Sequence, residues 1–105
     1  MNLEYWFPTI ISYSDWHGKC QPLIDHCYDL QKTIERGGDN WISTVYNTHS
    51  THNIIDDEKF KEINDWALEQ ANLYSEKIGS KDKLKYQNGW FNIYKKKDFQ
   101  EYHTH

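Results

Sequence analysis

A row of apolar side chains at helical spacing constrains this chain more than any other feature. Phe60, Ile63, Ala67, Ala71, Tyr74 and Ile78 recur on one face, with Trp66 beside them. This is the i, i+3/i+4 pattern of a helix that covers something with one side. The spacing predicts a helix from about Asp57 to Ile78. Asp56 or Asp57 can cap it, the acidic run Asp56-Asp57-Glu58 suits the dipole, and Gly79 stops it. A second row, Cys20, Leu23, Ile24, Cys27, Leu30 and Ile34, predicts a helix from about Cys20 to Arg36. Pro22 fits its first turn, where a missing N–H costs nothing, and Gly37-Gly38 ends it. Two amphipathic helices need a common cover, and with 105 residues, enough for one domain (1–105), that cover is a sheet.

The strand signals are short. Tyr5 to Tyr13 is rich in β-branched and aromatic residues, and Pro8 places its start at an edge. Asp15-Trp-His-Gly18 reads as a turn. Trp41-Ile-Ser-Thr-Val-Tyr46 is a short strand, and polar Asn47 to Asn53 is a loop. From Leu84 to about Tyr94, alternation places Leu84, Tyr86, Asn88, Trp90, Asn92 and Tyr94 on one face and Phe91 with Ile93 on the other. Apolar groups on both faces predict a strand covered on both sides. Lys95 to Asp98 is a solvated turn, and Phe99 to His105 a last extended piece. The order is β-α-β-α-β-β. The class is α+β, two helices packed on an antiparallel sheet. Four short strands do not close a barrel, so the sheet is expected to be incomplete.

Composition excludes several functions. Five Trp, eight Tyr and four Phe require cover and argue against disorder. The net charge of −4 argues against broad electrostatic binding to nucleic acid. The basic run Lys95-Lys96-Lys97 is followed at once by Asp98 and Glu101. No apolar run approaches the roughly 18 residues of a membrane span. The first residues lack the basic and apolar regions of a signal peptide, so a cytoplasmic location is expected. Cys20 and Cys27, seven residues apart on one helix, are separated by about 10.5 Å along its axis. That is too far for a disulfide. They are expected to be free, buried thiols in a reducing compartment.

Chemistry-bearing patterns are few. His103-Thr104-His105 on a strand points two imidazoles to one face, where they can hold one divalent metal. His49 and His52 could share a metal if helical, but no Cys or carboxylate stands at a matching spacing. His17 and His26 stand alone and read as structural or surface residues. Asp56-Asp57-Glu58 lacks the spaced oxygens of a calcium loop. Gly37-Gly38 follows a helix, whereas a phosphate cradle precedes one. No Ser or Cys has an oriented His–acid neighbourhood. A Glu35/Asp39 pair is no more than any acidic surface offers.

Taken in order, Trp6-Phe7-Pro8-Thr9-Ile10, Gly38-Asp-Asn-Trp41-Ile-Ser43, Gly89-Trp90-Phe-Asn92 and Tyr102-His103-Thr-His105 resemble landmarks of a family of 2-oxoglutarate- and Fe(II)-dependent oxygenases of marine bacteria and phages. The resemblance covers essentially the whole chain and rests on order and spacing. It implies a double-stranded β-helix, or jelly roll, of which this chain is the N-terminal part. It implies His103 and His105 as iron ligands, Trp90, Asn92 and Tyr102 as their motif neighbours, and Fe(II) and 2-oxoglutarate as cofactors. In the family the H-x-H strand is followed by a Pro and by strands carrying a distal His and a basic residue for the co-substrate. None follows here, so this chain alone is expected to be inactive. The wider superfamily has a carboxylate where His105 stands. A phage origin would place the protein in the host cytoplasm. Two other readings stand beside it. One is a non-enzymatic α+β interaction or virion-associated module, whose open sheet edge invites self-association or strand addition. The other is an accessory protein binding metal through His103 and His105, with the site shared across a two-fold axis as one form of it.

Overall fold

A computed structural model describes residues 10–38 and 44–98. The landmarks Trp6 to Thr9, Asp39 to Ser43, and Tyr102 with His103 and His105 lie outside the described residues. The described elements are α1 (Cys20–Gln31), β1 (Tyr46–Asn47), α2 (Lys61–Lys77) and β2 (Asn92–Ile93). Two single 3₁₀ turns, Ile54–Asp56 and Glu58–Phe60, precede α2. The architecture is α+β: two helices and a two-stranded antiparallel sheet with Tyr46 opposite Ile93 and Asn47 opposite Asn92.

Helix α1 stops five residues before the predicted end. Lys32 N–H reaches Asp29 and Leu30 carbonyls, and the N–H groups of Thr33 and Ile34 both go to Leu30 O, at 3.0 and 2.8 Å. Two consecutive β-branched residues are poor continuations of a helix. Gly37 therefore does not end the helix. Its N–H donates to Asn47 O at 2.8 Å, and a Cβ there would lie 2.9 Å from Asn47 Oδ1 and Ser50 Oγ. The glycine lets the chain run against β1.

Helix α2 starts later than predicted. Asp57 caps the 3₁₀ turn ahead of it, its Oδ1 accepting from Lys59 N–H at 3.0 Å. Asn53 does the same for the preceding turn through Ile55 N–H. Gly79, at φ +86°, ends α2 as expected, in the left-handed conformation that glycine adopts without strain.

The predicted strand over Leu84–Tyr94 shrinks to Asn92–Ile93 for a clear reason. The residues before it are tied to α2 rather than to another strand. Leu84 N–H donates to Asn72 Oδ1 at 2.7 Å, Ser75 Oγ donates to Asp82 O, and Tyr86 Oη donates to Asn64 O at 2.6 Å. Residues 10–14 likewise form no strand: Tyr74 Oη donates to Ile10 O and Ser14 Oγ to Gln70 on α2. Helix side chains satisfy backbone groups that would otherwise need a ladder.

Among the described residues only Val45 and Phe60 are buried apolar side chains. The Phe60 ring stacks on Phe91 with centroids 6.1 Å apart, and Phe91 meets Tyr46 at 6.2 Å. The rest of the buried set is polar: Asn47, Thr48 and Ser75. Asn47 donates through Nδ2 to Gly37 O and accepts at Oδ1 from His49 N–H. Thr48 bonds Phe91 twice, backbone N–H to carbonyl and Oγ1 from Phe91 N–H, both at 3.1 Å. Gly89 is locked similarly, donating to Asn53 Oδ1 and accepting from Ile54 N–H.

Candidate functional site

The densest polar cluster joins three segments on one carboxylate oxygen. His26 comes from the middle of α1, His52 from the turn after β1, and Asp57 from the cap of the 3₁₀ turn before α2. Asp57 Oδ2 lies 2.8 Å from His26 Nε2 and 2.9 Å from His52 Nε2. An ionised carboxylate only accepts, so both imidazoles carry their proton on Nε2. The Asp57 side chain is 11% exposed, and those of His26 and His52 are 20% and 22%. The His26 ring also packs on Phe60, centroids 5.6 Å apart.

Burial by itself would raise the Asp57 carboxyl. The hydrogen bonds from His26, His52 and Lys59 N–H outweigh it, with help from the His26 charge, and hold the group below its ordinary value. Cys27, next to His26, is affected in the opposite sense. Burial first, then the Asp57 charge, push its thiol up. A raised thiol is a poor nucleophile at neutral pH.

The cluster is closed on itself. A metal held by all three groups would need both Nε2 atoms deprotonated and both hydrogen bonds given up. Here each nitrogen bonds the oxygen directly. Among the described residues no group of three or more His, Cys, Asp or Glu is disposed to hold a metal ion. What the arrangement does is clamp: one anion fastens α1 to the turn after β1 while capping the entry to α2.

His49 and His52 do not converge. The His49 ring meets the Trp90 indole edge-on at 4.5 Å, whereas His52 turns to Asp57. His17 is exposed and lines a cleft beside Trp16. His26, read from sequence as an isolated residue, is a full member of the cluster. Its partner lies 31 positions away, and no local spacing announces such a pair. Asp57 was legible as a cap; its second role was not. The cysteines are free, as expected, but neither is buried: Cys20 is exposed and Cys27 half-buried.

Among the oxygenase-like landmarks, Gly89 to Asn92 are described. A Cβ at Gly89 would lie 2.9 Å from Ile54 Cγ1, so only glycine fits against the 3₁₀ turn without displacing it. Asn92 on β2 has its Oδ1 buried without a hydrogen-bond partner among the described residues. No helix among the described residues is long and apolar enough to cross a membrane. Comparison with protein-family models, with curated proteins and with solved structures finds no match.

Proposed function

We propose that the chain belongs with the Fe(II)- and 2-oxoglutarate-dependent oxygenases, as the helical part of such a fold, and that His103 and His105 are its contribution to the iron site. The observation that carries this reading is Asn92. It stands in the motif that precedes the histidine pair and presents a buried amide oxygen with no hydrogen-bond partner among the described residues. Native proteins rarely leave such an atom unpaired unless a ligand or a further segment completes it. The donor chemistry supports it: imidazoles at positions i and i+2 would share one face of a strand, and such a pair suits Fe(II). The metal would supply oxidative chemistry, and this chain would supply two of its ligands and their support. The His26–Asp57–His52 cluster takes no part as a ligand set, because its donors are already bonded to one another.

The test is metal binding. Anaerobic titration with Fe(II), or with Co(II) as a spectroscopic stand-in, should give a site whose affinity falls at least tenfold in His103→Ala and in His105→Ala. Undiminished affinity in both variants would sink the assignment. A second reading, a non-enzymatic interaction module, is favoured by the exposed apolar groups of the segment before α1, where Ile11 and Tyr13 are 80% and 91% exposed. Concentration-dependent association in sedimentation would support it.

A further inference from the structure

A cleft of about 420 Å³ lies where the segment before α1 meets the first turns of α1 and α2. Its size falls in the range of small-molecule sites. One wall is the Trp16 indole, folded flat over the backbone of Gly18. A Cβ at residue 18 would come within 1.9 Å of the indole, so any other residue there would expel the ring. Pro22, Leu23 and Ile63 also line the cleft, and with the indole they make up its apolar part.

The polar lining is unequal in charge. Lys19 and Lys59 enter the cleft, and neither makes an ion pair among the described residues. Glu62 is the one acidic residue in the lining, and His17 completes it. With His17 neutral, the lining of this cleft carries two positive charges against one negative, and Asp25 and Asp29 stand in the adjoining hollow beyond Lys59. Lys59 is held in place from below. Its backbone N–H is the group that Asp57 caps, and Asp57 is itself fixed by His26 and His52. The same lysine borders a second hollow of about 220 Å³ that continues along α1 past Pro22 to Asp25, His26 and Asp29.

We propose that this cleft binds a small organic monoanion with an apolar body, of the aryl- or alkyl-carboxylate class. The body lies against the apolar part made by Trp16, Pro22, Leu23 and Ile63, and the carboxylate meets Lys19 and Lys59. Glu62 selects against dianions such as phosphate monoesters, because a second negative charge would face it without a third cation. The lining shares no residue with the proposed iron ligands.

The full chain, isotope-labelled, would be titrated with 4-phenylbutyrate, 4-phenylbutan-1-ol and 4-phenylbutylamine while backbone amide shifts are recorded. Phenylbutyrate should give saturable shifts confined to residues 16–23 and 59–63, with at least tenfold tighter binding than the amine. The double variant Lys19→Met/Lys59→Met should weaken the carboxylate at least fivefold and leave the alcohol unchanged. Both lysines are exposed, so this variant keeps the fold, and its own amide spectrum verifies that. Glu62→Gln should tighten the carboxylate. Equal binding of amine and carboxylate, shifts mapping elsewhere, a lysine variant indistinguishable from wild type, or no saturable shift with any of the three compounds would each overturn the proposal.

Discussion

Replacing Asp57 by Asn removes one charge while keeping the side chain's shape, and it tests the clamp directly. Hydrogen bonds to a charged group contribute about 1.5–3 kcal/mol each. Two of them end on Oδ2, and a third bond caps the 3₁₀ turn through Oδ1. The two histidine bonds share one oxygen, so their contributions do not simply add. An amide also places an NH₂ group against a donor in either orientation. The expected loss is about 2–4 kcal/mol. With so few apolar side chains buried, that is a large part of a stability of roughly 5–15 kcal/mol. Urea unfolding followed by circular dichroism at pH 7 should show the midpoint falling by about 1–2 M for a slope of roughly 2 kcal/mol per M. Asp57→Ala should lose about 1 kcal/mol more, because it also gives up the cap. The pH dependence has a definite sign. The folded carboxyl lies below its ordinary value of 3.8, so its contribution is fully present above that pH. It is lost as pH falls through the lowered value. The gap between wild type and Asp57→Asn should therefore close in acid below pH 3.8. A loss under about 0.5 kcal/mol at pH 7 would refute the clamp, since such a change is ordinary for surface substitutions.

Other perturbations have equally definite outcomes. Gly89→Ala sets a methyl 2.9 Å from Ile54 Cγ1 and 3.3 Å from Ile55 Cδ1, and should cost about 1–3 kcal/mol in thermal unfolding. An unchanged melting temperature would mean that the 3₁₀ turn moves freely. Asn47→Ala strands Gly37 O in a buried site and frees the part-buried His49 N–H, with an expected loss of about 1–3 kcal/mol. A neutral result in chemical denaturation would show that water replaces both bonds. Iodoacetamide at pH 7.5 should label exposed Cys20 well before Cys27, whose thiol is shielded and pushed up. Equal rates by mass spectrometry would contradict that environment.

The two helices were legible because each repeats an apolar contact every three or four residues, and such a pattern survives whatever the helix packs on. Gly79 as a stop and Asp57 as a cap were legible for the same reason: caps act within one turn of the chain. The strands were not. Alternation in Leu84–Tyr94 predicted a long strand, yet Asn64 and Asn72 on α2 hold Tyr86 and Leu84, and Asn53 and Thr48 hold Gly89 and Phe91, leaving two residues for pairing. Whether an extended segment becomes a strand depends on which donors and acceptors lie beside it, and those come from elsewhere in the chain.

The helical row along α2, with Asp57 ahead of it and Gly79 behind, was thus settled by the residues themselves through local geometry. Only the tertiary structure decided what Asp57 does besides capping. It brings His26 from 31 positions away and His52 from the turn after β1 onto one oxygen. Two imidazoles so far apart in the sequence carry no joint pattern. Their partnership exists only where folding sets α1 against the entry to α2.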